Sequence, residues 1–195
     1  MDYGRKKEKH IPKELKREDT GEITVYACVK RSSLLFLSFS AGKWTQETCG
    51  RMIEKAAGRM AGGRVQFYSD GNDDYTYVLP LYFSDLDYGQ LVKKREKGRV
   101  VDKEKRTIHG SPDMKRLDTT SIEGFNSILR ERIGRLVRKT KCYAKKLRTL
   151  NNCLEIFQFY WNMIKPIKGK TPAMKEKLAV KPWTWTDLLT YHYTT

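Results

Sequence analysis

The stretch Arg64-Val65-Gln66-Phe67-Tyr68-Ser69-Asp70-Gly71 constrains the chain more than any other. Its β-branched and aromatic residues read as a short strand that runs into an Asp-Gly break. It follows at once on Gly62-Gly63, the end of a helical pattern. A strand fed directly from a helix belongs to an α/β sheet, and open α/β sheets keep their chemistry at the carboxyl ends of their strands. Asp70 stands at such an end. The plainer reading is a turn, in which Asp bonds its own backbone and Gly supplies a positive φ.

Upstream, Glu22 to Val29 and Leu34 to Phe39 are strand patterns joined by Lys30-Arg31-Ser32-Ser33, which suits an antiparallel hairpin. Thr45 to Met60 reads as a helix: Thr45 is a cap, Cys49, Met52, Ile53, Ala56 and Met60 recur at helical spacing, and the glycine pair stops it. Strand, strand, helix, strand makes a mixed sheet with a helix crossing over it. Tyr75 to Phe83 is aromatic and broken by Pro80. Between 84 and 118, Leu91-Val92 and Arg99-Val100-Val101 are short strand candidates in a Lys-rich stretch that otherwise has the character of a loop.

From Thr120 the pattern is helical again. Ile122, Phe125, Leu129, Ile133 and Leu136 share one face, and a second stripe runs Leu147, Leu150, Leu154, Phe157, Trp161, Ile164 before Pro166 and Gly169. This predicts two long, basic helices near the carboxyl end. The tail, 166–195, reads as a loop anchored by Trp183 and Trp185. The first 19 residues are a charged segment broken by Pro12.

The formal net charge is +16 over 195 residues, which makes a polyanion the expected partner, nucleic acid first among them. Arg130, Arg135, Arg138, Lys139, Lys141, Lys145, Lys146 and Arg148 have few acidic neighbours and read as a phosphate-tracking surface; the plainer reading is a solvated face. Four separated cysteines with no Cys-x-x-Cys pair suggest neither a zinc ribbon nor a disulfide framework. No apolar run is long enough to span a bilayer and no signal-peptide core precedes it, so a cytoplasmic location is expected. The three histidines are isolated, and no Gly-rich phosphate loop is present.

Glu123 lies in the first turn of the helix that opens at Thr119-Thr120. Thr120-x-x-Glu123 is a capping-box pattern, which would occupy the carboxylate with its own helix. Helical phase, however, groups Glu123 with Asn126, Ser127 and Arg130 beside the apolar stripe, where the carboxylate can face a cleft rather than the solvent. Asp70 and Glu123 brought together on a basic chain are the donors that metal-assisted chemistry on a polyanion needs.

The tract Tyr68-Ser69-Asp70-Gly71, a basic interval, and then Thr120-Ser121-Ile122-Glu123-Gly124-Phe125-Asn126-Ser127-Ile128-Leu129-Arg130 resembles the catalytic half of DDE transposases of the insertion sequence one family. The tail, with Thr171-Pro172-Ala173-Met174, Trp183 and Asp187-Leu188-Leu189, is similar to theirs too, and the likeness covers about residues 20 to 190. The resemblance implies a ribonuclease-H-like catalytic domain over 20–165, a mixed sheet flanked by helices. In such a fold, three carboxylates hold two Mg²⁺ ions about 3.5–4 Å apart for DNA cleavage and strand transfer. Asp70 becomes the second acid and Glu123 the third, both metal ligands, with Asn126 and Arg130 as supporting contacts. The partners it implies are transposon ends and target DNA, bound by a homo-oligomer. The family's first acid falls at or upstream of Met1, leaving Asp2 as the candidate within the chain, and the amino-terminal zinc-ribbon and helix-turn-helix region has no counterpart here. A truncated or frame-split copy with weak or absent catalysis is the expectation. The alternative from another class is a non-enzymatic basic DNA- or RNA-binding protein.

Overall fold

The computed structural model describes residues 22–137, 144 and 146–191. Among them the chain is a mixed α/β structure. Strands β1 (Thr24–Lys30) and β2 (Leu35–Gly42) form an antiparallel hairpin, helix α1 (Gln46–Ala57) follows, and β3 (Val65–Asp70) leads to helix α2 (Asp74–Tyr82). Strands β4 (Leu86–Glu96) and β5 (Arg99–His109) come next, then α3 (Thr120–Arg132), a 3₁₀ turn at Gly134–Leu136, and α4 (Leu147–Phe159) with a π turn at Tyr160–Ile164. Two short helices, α5 (Pro172–Lys175) and α6 (Trp185–Leu189), close the described chain. β3 pairs with β4 in parallel and β4 with β5 antiparallel, so the second sheet is mixed. Among the described residues, the free edges of β1 and β3 have no strand beside them.

Strand alternation builds the layers. Along β1, Tyr26 and Cys28 face one side, where they meet Cys49, Met52 and Ile53 of α1, Val78 and Leu79 of α2, and Val65, Leu86 and Tyr88 of the second sheet. Val25, Ala27 and Val29 face the other side, with Phe36, Phe39, Phe125 and Leu129 of α3, and Leu150, Leu154, Phe157 and Trp161 of α4. Helices therefore cover both faces. The predicted cap at Thr45 forms, its Oγ1 accepting from the Thr48 amide at 3.3 Å, and Ser38 Oγ donates to the Met52 carbonyl at 2.8 Å, fastening α1 to β2. On the opposite layer the π turn carries Asn162 to the outer edge of β2. Its Oδ1 accepts from the Phe36 amide at 2.8 Å and its Nδ2 donates to the Phe36 carbonyl at 2.9 Å, so that edge is covered.

Three sequence expectations change. The Lys-rich stretch expected to be mostly loop is a hairpin of two 11-residue strands, turned through Lys97 and Gly98, both at positive φ. That is the paired left-handed geometry of a tight hairpin turn. The long basic helix over residues 120–136 is shorter: α3 stops at Arg132, and Ile133 and Leu136 stay buried through the 3₁₀ turn instead. The basic residues Arg138, Lys139 and Lys145 lie outside the described residues, and so does the 1–19 segment with Asp2. The tail has more order than a loop. Thr171 caps α5, Thr184 and Asp187 form a reciprocal capping box on α6, and Trp185 stacks on Tyr160 at 5.9 Å. Among the described residues no helix is long and apolar enough to cross a membrane.

Phe125 seats α3 on the hairpin. Its ring lies 4.8 Å from Phe36 and 5.3 Å from Trp161, and its side chain is buried. Phe125→Ala removes that aromatic contact and leaves a cavity, so urea unfolding should show a loss of about 3–5 kcal/mol. A loss under about 1 kcal/mol would mean that α3 is held elsewhere.

Candidate active site at the carboxyl end of the sheet

Asp70 is the last residue of β3, and its side chain is exposed. Among the described residues its carboxylate accepts no hydrogen bond and forms no ion pair. The plain-turn reading also fails on the glycine. Gly71 does not have a positive φ; a Cβ there would come within 3.2 Å of Val92 Cγ2. Glycine is needed for close approach to β4, not for a left-handed turn.

Beneath Asp70 runs a buried polar chain. Gln90 Nε2 donates to Tyr88 Oη at 2.7 Å, Tyr88 Oη lies 2.8 Å from Ser69 Oγ, and Ser69 Oγ donates to the Asp70 carbonyl at 2.6 Å. With Ser69's proton committed there, Tyr88 donates to Ser69. Gln90 also donates to the Asn72 carbonyl at 3.1 Å, while Tyr26 Oη donates to Asp74 Oδ2 at 2.7 Å, so the loop after Asp70 is tied to the sheet. Burial pushes the Tyr88 hydroxyl up to about 12, which keeps it protonated and donating. Burial likewise pushes the Cys28 and Cys49 thiols up to about 12, so both are unreactive packing groups, as ordinary core cysteines should be.

Glu123 lies one helix away. The Thr120 capping box does not form: Thr119 is the N-cap residue and makes no side-chain cap bond to the backbone. Thr119 Oγ1 instead donates to Glu123 Oε1 at 2.7 Å, and the same oxygen is ion-paired with Lys93 of β4. The Lys93 ammonium, then the Thr119 hydroxyl, hold the Glu123 carboxyl below the usual carboxylate range.

Register relates the two acids. Asp70 is paired with Leu91 in the parallel ladder, and residues in register share a sheet face. Leu91 and Lys93, two apart, also share a face, and Lys93 holds Glu123. The carboxylates of Asp70 and Glu123 therefore lie on the same side of the sheet, Asp70 at the carboxyl end of β3 and Glu123 over the later part of β4. Asn126 and Arg130, half-buried, follow Glu123 along α3; Arg135 sits in the 3₁₀ turn and Lys146 is exposed at the start of α4. Arg138, Lys139, Lys145 and Asp2 lie outside the described residues. Lys93 is the residue that sequence reasoning missed. The signal for it was the apolar alternation Leu86-Tyr88 ahead of a basic continuation, obscured by the density of lysines.

The exposed Asp70 carboxylate is the kind of oxygen donor a hard cation takes, while Glu123 Oε1 is already engaged by Lys93 and Thr119. Mg²⁺ in particular is commonly held by one or two carboxylates, its own waters and substrate phosphates. Among the described residues no group of three or more His, Cys, Asp or Glu side chains could hold a metal ion. No protein-family model matches this chain, and neither a curated protein nor a solved structure matches it.

A carboxyl held below its unfolded value contributes stability that is present above the unfolded pKa and lost as pH falls through the folded one. The Lys93–Glu123 pair therefore supports the fold at neutral pH and ceases to do so on acidification through the carboxylate range. In Lys93→Met, ¹³C-detected titration of the Glu123 carboxyl should move upward toward the ordinary glutamate value, and less stability should be lost on acidification. An unmoved titration would show that Lys93 does not set the Glu123 charge.

Proposed function

We propose that this chain is the catalytic region of an insertion-sequence DDE transposase with a ribonuclease-H-like fold, acting on DNA with Mg²⁺. The observation that carries the reading is Asp70: an exposed strand-end carboxylate without a partner among the described residues, on the same sheet side as Glu123. Support also comes from the order of elements, a hairpin, a crossing helix, a parallel strand pair and then a helix opening on Glu123. Asp70 and Glu123 are the residues that would hold Mg²⁺, which when bound supplies Lewis acidity for attack by water or a DNA 3′-hydroxyl on a phosphodiester. Asn126, Arg130, Arg135 and Lys146, with Arg138, Lys139 and Lys145, serve as contacts to transposon ends and target DNA, which a homo-oligomer would bring together. Asp2 remains the candidate first acid. Such chemistry belongs where DNA is, so the cytoplasm is the location that fits.

One observation favours a non-enzymatic nucleic-acid binder: Glu123 is already neutralised by Lys93. The two readings part in a strand-cleavage and joining assay on end-containing duplex with Mg²⁺. The transposase reading predicts weak, Mg²⁺-dependent cleavage and joining that falls to background in Asp70→Asn and in Glu123→Gln. Cleavage that survives either substitution removes that residue from the site, and DNA binding with no Mg²⁺-dependent cleavage by the unsubstituted chain leaves the binder.

A further inference from the structure

The β4–β5 hairpin continues well beyond the core, and its charges are sorted by face. Pairing sets Leu91 opposite Lys105, Lys93 opposite Lys103 and Lys94 opposite Asp102, with a bulge before Arg95 pairs with Val100. Directly opposed residues in an antiparallel ladder share a face. One face of the ribbon therefore carries Lys93, Arg95, Lys103 and Lys105 and no carboxylate of its own. The other face alternates signs: Lys94 is ion-paired with Asp102 at 3.4 Å and with Glu104 at 3.8 Å, Arg106 with Glu104 at 2.7 Å, and Glu96 sits opposite Arg99. A random basic ribbon would not segregate this way. Like charges set directly across a ladder, as Lys93 and Lys103 are, weaken the sheet, and Glu123, paired with Lys93, offsets this at the base of the face, leaving the outer positions without a carboxylate on their own side.

We infer that the cationic face of the β4–β5 ribbon is a binding surface for the backbone of duplex DNA, a surface that leads along β4 to Asp70 and Glu123. The inference rests on DNA as the partner of that site but not on catalysis. Lys93 is committed to Glu123, and Lys105 Nζ donates to the Met114 carbonyl at 2.7 Å, which fixes the base of the face. Arg95 and Lys103, further out, have no ion pair among the described residues and are exposed, ready for phosphates. Same-face neighbours along a strand are roughly 7 Å apart and opposed pairs about 5 Å, a lattice of charge on a ribbon narrow enough to enter a B-form major groove. Duplex is favoured over single strand because the ribbon beyond Leu91 carries no aromatic residue on which bases would stack. It is favoured over A-form RNA because that major groove is too narrow to admit it.

The test is the salt dependence of binding by the full chain to a duplex DNA of about two helical turns, read by fluorescence anisotropy. Each phosphate contact adds about 0.9 to the slope of log affinity against log salt. The double variant Arg95→Gln/Lys103→Gln should lower that slope by about 2. Lys94→Gln/Arg99→Gln, which removes the same charge from the other face, should lower it by less than about half as much. A smaller slope for Arg95→Gln/Lys103→Gln in a chain that cleaves no DNA supports the surface even as the catalytic reading fails. Equal losses for the two double variants would reduce the effect to net charge and overturn the proposal. So would equal affinity for single-stranded DNA or an RNA duplex, and so would no duplex binding by the unsubstituted chain, which would remove the DNA reading as well.

Discussion

The parallel ladder between β3 and β4 is the interaction on which the candidate site depends. A slip of one residue in that pairing would turn Asp70 toward α1 and α2 and send Ser69 to the opposite face. Two buried features oppose such a slip. The Gln90, Tyr88, Ser69 relay needs each polar side chain on the α1 side, where a misplaced hydroxyl would lie unpaired in an apolar cluster. Asp87, on the reverse face and almost fully buried, accepts from Arg64 Nε at 2.6 Å and from the Ser111 amide at 2.7 Å, and Arg64 holds its carboxyl below the usual range. A slip would leave the buried Asp87 carboxylate without the Arg64 guanidinium and the Ser111 amide, an unpaired buried charge that disfavours the alternative register.

Lys93 joins the two charged regions of the molecule. Its ammonium neutralises Glu123 on one side and begins the cationic face of the hairpin on the other. The same short stretch of β4 thus runs from apolar core at Leu86 and Tyr88, through the two half-buried positions Val92 and Lys93, to fully exposed charge at Arg95. α3 is also anchored through Phe125 against Phe36 and Trp161, so the backbone that carries Glu123 has a hold besides Lys93. The ion pair sets the charge at the site, while aromatic packing sets its geometry.

What could be read from sequence followed from strong periodicity. The hairpin of β1 and β2, helix α1 with its Thr45 cap and strand β3 were legible because alternation, capping and glycine breaks agreed with one another. The apolar stripe through Leu150, Leu154, Phe157 and Trp161 was legible for the same reason. Helix α2 was obscured by Pro80 and by tyrosines and a valine that fit a strand as well as a helix. The distal hairpin was obscured because both of its faces are solvated, which removes the alternation that announces a strand, and because Lys97-Gly98 is a weaker turn signal than Asn-Gly. At the site, Asp70 and Glu123 were legible as residues. Their relation was not, since it runs through the β3–β4 register and through Lys93, neither of which has a local signature.

A shared ion site at Asp70 and Glu123 is tested most directly by Mn²⁺, a paramagnetic stand-in for Mg²⁺, titrated into ¹⁵N-labelled protein. If Asp70 and Glu123 hold one ion site, the amide signals around both should broaden together along a single saturation curve, and Asp70→Asn should abolish the broadening at Glu123 as well. Broadening at Asp70 with sharp signals throughout the first turn of α3 would contradict the account.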